Sequence, residues 1–392
     1  MATSSAKGRG VYTALRGCRR RCRPGVVRAS VSEYAASRTV PGTTEHALEW
    51  KGFQLRYVHK PAEPQSGNNG KPAVLMLHGF GGNADHFKNN FESLTSEGCD
   101  VYALDVLGYG YSDKPEPLGD HVEHALAPTA YGDVVKGPST TEDGRKLYCF
   151  ENWADQALTL IDEVIGRDVV LVCNSVGGIT GMQAAIAEKS KQQRRIRGVM
   201  IVDLSLRMLH ITKTSAVARP FVAALQNALY GSSLGDSFFA NVATPDTVTT
   251  VLKQAYGGPS GPVEQAVALL SGDEDDLRVD EDLVSRILTP GLRPNAARVF
   301  LDFISYSAGP TPEDLLASID VPVGFIWGSR DPWEKVDWGR DLALRFDAAA
   351  GSGTVTCFHE VPNGGHCVMD QRPEAVNPLL VRFVDDVVST TK

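Results

Sequence analysis

Ser175 stands in the stretch 169–178, VVLVCNSVGG. The apolar run Val169-Val170-Leu171-Val172 has the length and make-up of a buried strand. After Ser175 come Gly177 and Gly178, and then Ile179-Thr180-Gly181-Met182-Gln183-Ala184-Ala185-Ile186, which reads as a helix. A serine on so sharp a strand-to-helix turn has its hydroxyl pushed out of the sheet, where it can act as a nucleophile. The turn brings strand and helix backbones close together, so small residues are needed two positions before and two after. Cys173 and Gly177 fill them, making the usual G-x-S-x-G into C-x-S-x-G. An ordinary turn with a capping serine would look similar. Acyl chemistry needs more: a base within hydrogen-bond reach of the hydroxyl, and an acid that fixes the base's tautomer.

The elements that would position such groups follow in order along the chain. Segments 46–50 and 53–59 predict a hairpin across Lys51-Gly52. The fully apolar run 73–77 predicts a central strand. It ends in His78-Gly79-Phe80-Gly81-Gly82, whose glycines let amides point at a developing negative charge. The amides of Phe80 and Val176 are the natural pair of oxyanion donors. His78 is expected to shape this turn, not to act as base. A helix is predicted over 85–97 and a strand over 100–105, which runs into Asp105-Val106-Leu107-Gly108-Tyr109-Gly110-Tyr111-Ser112. The polar, Gly- and Pro-containing stretch 117–147 reads as an exposed insertion; His121 and His124 within it are too few for a metal site. A helix over 151–165, the serine strand and helix, and a strand over 196–202 ending at Asp203 come next. From 205 to 320 the alternation stops and the pattern is helical, over 220–230, 244–255, 262–270, 281–287 and 296–305. It resumes with a strand over 321–327, a helix over 334–345, a strand over 354–361 and a closing helix over 373–388.

H-G-F-G, then D-x-x-G-x-G-x-S, then x-x-S-x-G, in that order, resemble the α/β-hydrolase fold family, and the likeness covers roughly residues 45–390. The resemblance implies a mostly parallel sheet with helices on both faces, a core of residues 41–204 and 321–392, and a helical cap at 205–320 over the serine. It places the acid in Gly328-Ser329-Arg330-Asp331 and the base in the glycine-rich loop that ends Gly364-Gly365-His366. The catalytic set is then Ser175, Asp331 and His366, each at the C-terminal end of a predicted strand, the edge where open α/β sheets carry their sites. Asp203 is a rival acid, and Gly79 and Trp333 are assigned to substrate binding. Haloalkane dehalogenases and epoxide hydrolases of this fold use an aspartate where Ser175 stands, so the expected reaction is hydrolysis of a carboxylic ester through an acyl-enzyme. The chain is most similar to the plastid-targeted pheophytinase and chlorophyll dephytylase group, in N-S-x-G-G and in G-Y-G-Y-S-D-K-P, although pheophytinases have Gly where Cys173 precedes Asn174. That likeness implies a phytyl ester of a chlorophyll derivative. A C–C bond hydrolase and a non-catalytic ligand binder are the alternatives on the same fold.

Composition narrows the partners. Hydrophobic residues make up 42% and charged residues 22% of the 392, enough for a sizeable core. The first thirty residues carry Lys7, Arg9, Arg16, Arg19, Arg20, Arg21, Arg23 and Arg28, with no acid before Glu33. This Arg- and Ser-rich start reads as a transit peptide over 1–40, directing the protein to the chloroplast. Without those eight cations, Lys plus Arg falls from 39 to 31 against 47 acids, a net charge of −16. A strongly acidic protein is a poor partner for nucleic acid. The expected partners are a small hydrophobic ester and, peripherally, the thylakoid membrane. No cofactor is expected: 79–82 and 108–110 are not dinucleotide loops, and no P-loop or zinc-type Cys/His spacing occurs.

Overall fold

The computed structural model describes residues 40–390 apart from 64–69, 133–136, 259–277, positions 190, 192–193, 307 and 352, and scattered positions between 208 and 231. The proposed leader and the helix expected over 262–270 lie outside the described residues, as does most of 220–230.

The described residues form ten strands: β1 (Thr44–Trp50), β2 (Phe53–Lys60), β3 (Ala73–Leu77), β4 (Val101–Leu104), β5 (Ala127–Pro128), β6 (Arg145–Lys146), β7 (Val169–Asn174), β8 (Ile196–Val202), β9 (Val323–Gly328) and β10 (Val355–Val361). Eight of them form one sheet in the order β1-β2-β4-β3-β7-β8-β9-β10. In this sheet β1 with β2 and β2 with β4 run antiparallel and the other pairs are parallel. This is the mostly parallel sheet that the resemblance implied.

The apolar run of β7 has no polar face because both faces are covered. Leu171 and Cys173 join Leu75, Leu77, Val199, Ile201 and Phe325 in one core, while Val170 and Val172 join Val74, Met76, Met200 and Ile326 in the other. The first core is roofed by helices Phe150–Leu160 and Val176–Glu188, the second by Phe91–Ser96 and Pro373–Thr390. Alternate residues of each strand thus feed alternate layers.

Several expectations change. The helix expected over 85–97 is a 3-10 turn, Ala84–Phe87, and a separate helix, Phe91–Ser96. Asn90 breaks it by turning its side-chain amide to the Met369 carbonyl and to Asn377. The helix over 151–165 is α-helical only over Phe150–Leu160 and closes in a π-turn, Ile161–Ile165. Between β8 and β9 the described helices are Ser233–Val242, Pro245–Ala255, Glu281–Gly291, Ala296–Ile304 and Pro312–Leu316, the first and last of which periodicity did not reveal. Thr244 starts the Pro245 helix by accepting the Thr247 amide.

The stretch 117–147 is not simply an exposed insertion. Leu118 is 41% exposed, but Val122 and Ala125 are fully buried and Lys146 is 1% exposed. The Lys146 ammonium lies 2.7 Å from Asp302, itself fully buried, on the Ala296–Ile304 helix. Tyr131 reaches Asp314 at 2.8 Å. Polar composition suggested solvent, but Lys146 and Tyr131 pair with acids more than 150 positions away, and Lys146, a buried charge, needs such a partner.

Candidate active site

The Ser175 backbone has φ 54° and ψ −121°, a conformation that costs a non-glycine residue energy and is held only by its surroundings. The surroundings are tight. A Cβ on Gly177 would lie 2.4 Å from the Leu77 carbonyl oxygen, and one on Gly79 would lie 2.9 Å from Asn174 Oδ1 and 3.0 Å from Ser175 Cβ. β3 and its loop therefore press against the serine turn, and only glycine fits at either position.

Cys173 is tolerated for a reciprocal reason. It is fully buried, and a Cβ on Gly181, one turn into the following helix, would lie 2.5 Å from its Sγ. The thiol has moved into the room that the helix glycine leaves free. Burial pushes its pKa up, so it is an inert packing group. Glycine to alanine within a helix ordinarily stabilises by about 1 kcal/mol. Gly181→Ala is instead expected to destabilise by about 1–3 kcal/mol, and Cys173→Gly added to it is expected to restore much of the loss; urea denaturation measures both.

Three buried side chains meet beyond the strand ends. The Ser175 hydroxyl donates to His366 Nε2 at 2.8 Å. His366 Nδ1 donates to Asp331 Oδ2 at 2.6 Å. Asp331 Oδ1 accepts the amides of Trp333 at 2.9 Å and Glu334 at 3.0 Å. The carboxylate thus fixes the imidazole's tautomer, leaving a lone pair on Nε2 for the serine proton. His366 is held by its own backbone: its N–H donates to the Ala255 carbonyl at 2.5 Å, and its carbonyl accepts Asn174 Nδ2 at 3.2 Å. Asp203 is fully buried and faces elsewhere, its Oδ1 accepting the Gly328 amide at 2.7 Å. Burial, and then the charge of Asp331, push its pKa well above the carboxylate range.

Val176 opens the helix after Ser175, so its N–H has no acceptor within that helix. Phe80, 38% exposed, follows Gly79 on the loop pressed against the serine turn. Its ring stacks on Phe303 at 4.6 Å and meets Phe300 at 5.2 Å. The His78 ring donates from Nδ1 to the Gly79 carbonyl at 2.8 Å and accepts the Val106 amide on Nε2 at 3.3 Å, which accounts for both nitrogens. The Trp333 ring lies 4.9 Å from that of His366.

A cavity of about 790 Å³ opens on this group, lined by Gly79, Phe80, Ser175, Val176, Trp333 and His366. The helices between β8 and β9 supply an apolar wall of Val242, Val248, Val251, Leu252, Ile287, Phe300 and Phe303. Polar side chains on the wall that were not foreseen from spacing include His86, Ser205, Arg207, His210, Tyr306 and Glu334. None falls in a motif; the signal for Glu334 was its place three residues after Asp331. Burial raises the Glu334 carboxyl to about 7. A folded-state value above the ordinary 4.5 means that this group favours folding at low pH and loses its contribution as pH rises through about 7. Glu334→Gln, which still accepts the Leu206 amide, is expected to flatten the fall in thermal midpoint across that window; calorimetry against pH checks it.

A family model described as "Alpha/beta hydrolase family" matches residues 74–379. The chain belongs to the alpha/beta hydrolase family. It is 24% identical over 369 residues to "Pheophytinase, chloroplastic" of Arabidopsis thaliana, a match covering 87% of this chain and 66% of that protein's length. It is 21% identical to the AB hydrolase superfamily protein YfhM of Bacillus subtilis, over 81% of this chain and 92% of that one. Among solved structures, a membrane phospholipase A described as a bacterial virulence factor is similar at TM-score 0.56 and 19% identity, covering 91% of this chain and 90% of that one. A thermophilic esterase of Thermogutta terrifontis is similar at TM-score 0.54 and 16% identity, covering 88% and 99%. The structural likenesses establish the fold.

Proposed function

We propose that the protein is a serine hydrolase that cleaves the carboxylic ester of a hydrophobic substrate through an acyl-enzyme. The observation that carries this reading is the continuous hydrogen-bond chain Ser175–His366–Asp331 opening on an apolar cavity. His366 takes the Ser175 proton as Oγ attacks the ester carbonyl, and the Phe80 and Val176 amides receive the oxyanion. His366 then returns the proton to the leaving alcohol. A water, deprotonated by the same imidazole, releases the acid and restores Ser175.

The substrate we favour is a phytyl ester of a chlorophyll derivative, acting in the chloroplast. Three things support it: the similarity to the Arabidopsis pheophytinase, the aliphatic and aromatic wall facing Ser175, and the Arg-rich, acid-free start of the chain. No described helix is long and apolar enough to cross a membrane, so contact with the thylakoid would be peripheral. The test is kcat/KM across esters of increasing alcohol length, with pheophytin and chlorophyll alongside. Rising values toward long branched alcohols, with pheophytin or chlorophyll cleaved, support the reading. A preference for acetyl esters would remove the phytyl assignment, and no turnover of any ester would remove the ester assignment.

A further inference from the structure

A second chain of hydrogen bonds ends at the cavity, and the steps above make no use of it. Asn89 Nδ2 donates to Asp370 Oδ1 at 2.8 Å. The Tyr256 hydroxyl lies 2.5 Å from Asp370 Oδ2, and His86 Nε2 lies 3.2 Å from the Tyr256 hydroxyl. Three of these four are buried: His86 is 4%, Tyr256 0% and Asp370 2% exposed.

The direction of this chain follows from its far end. A carboxylate only accepts, so the Tyr256 O–H must donate to Asp370. The Tyr256 oxygen is left to accept, and the hydrogen of the second bond therefore sits on His86 Nε2. A neutral imidazole protonated on Nε2 presents a bare lone pair at Nδ1. Burial keeps the ring neutral. The Nδ1 edge faces the loop after β3, for a Cβ on Gly82 would lie 3.5 Å from it. Both residues line the cavity, and among the described residues Nδ1 has no hydrogen-bond partner.

We propose that His86 Nδ1 is a specificity-determining acceptor, and that the ester admitted beside Ser175 carries an O–H or N–H donor which this nitrogen receives. Tyr256 and Asp370 are positioning residues that keep the lone pair on Nδ1. The proposal deepens the ester-hydrolase reading and rests on it. Its physical basis is that a ligand lacking the donor strips water from Nδ1 and returns nothing, which a built polar site penalises far more than it rewards a match.

Binding to the Ser175→Ala protein tests this without turnover. The probes are decyl pyrrole-2-carboxylate against its N-methyl analogue, and decyl 3-hydroxypropanoate against its O-methyl analogue. In at least one pair the donor-bearing ester is expected to bind about tenfold more tightly; which pair does so separates N–H from O–H. The ratio is expected to fall to about one in Ser175→Ala/His86→Phe and in Ser175→Ala/Tyr256→Phe, with circular dichroism establishing that each is folded. NMR of nitrogen-labelled histidine is expected to show His86 Nδ1 unprotonated in the parent and partly protonated in Tyr256→Phe, a change that loss of packing alone would not produce. A ratio near one in both pairs, no binding of any probe, a ratio that survives His86→Phe, or a proton found on Nδ1 in the parent would each overturn the proposal. Failure of the ester reading shows separately, as native protein that turns over none of the four esters.

Discussion

Ser175→Ala is expected to lower kcat for ester hydrolysis by about 10⁵–10⁶-fold and to abolish covalent labelling by a fluorophosphonate probe. The size follows from the arrangement. Among the described residues only Ser175 donates to His366 Nε2, so without its oxygen the base is left with water to activate. The oxyanion donors and the cavity remain, which leaves a residual rate above that in solution. Folding is expected to respond in the opposite sense to small changes here. Alanine at φ 54° keeps the strain that serine bears, whereas glycine does not. Ser175→Gly is therefore expected to melt above Ser175→Ala while being equally inactive, by calorimetry on the two proteins. Labelling that persists in Ser175→Ala would place the nucleophile elsewhere and end the acyl-enzyme mechanism.

Asp331→Asn is expected to cut kcat by about 10⁴-fold, and Asp203→Asn by less than about tenfold. Both acids follow neighbouring strands and both are buried, and in the sequence the family resemblance alone favours Asp331. Geometry does so independently. Asp331 Oδ2 holds His366 Nδ1 at 2.6 Å, and its other oxygen is fixed by two amides. An amide in its place would offer the imidazole a donor or a weaker acceptor, freeing the wrong tautomer. Asp203 instead receives the Gly328 amide at the end of β9. Burial, and then the charge of Asp331, push its pKa up, so the charge that asparagine removes is one its surroundings disfavour. Asp203→Asn is thus expected to leave thermal stability at neutral pH nearly unchanged or slightly raised. Steady-state kinetics on both variants decide the matter, and a severe loss in Asp203→Asn with a mild one in Asp331→Asn would exchange their roles.

Much of this was legible in the chain itself. Apolar runs of strand length marked β3, β7 and β9; the nucleophile stands just beyond β7 and the acid just beyond β9, while the base follows β10 in a glycine-rich loop. Those features are local: a strand end and its turn are written in consecutive residues. The break at Asn90 was not legible, because the competing bonds come from Met369 and Asn377. The burial of Lys146 was hidden for the same reason, since a lysine in a polar stretch reads as solvated until its acid is known.

What residues 169–178 carried by themselves is a buried strand, a sharp turn with a serine at its apex, and a helix after it. Tertiary structure alone decided why a cysteine fits where glycine is usual, and that His86, backed by Tyr256 and Asp370, lines the cavity. The last two links join residues 170 and 114 positions apart. Hydrogen bonds and close packing depend on distance in space, and a pattern read along the backbone carries that information only over the few residues of a strand or a helical turn.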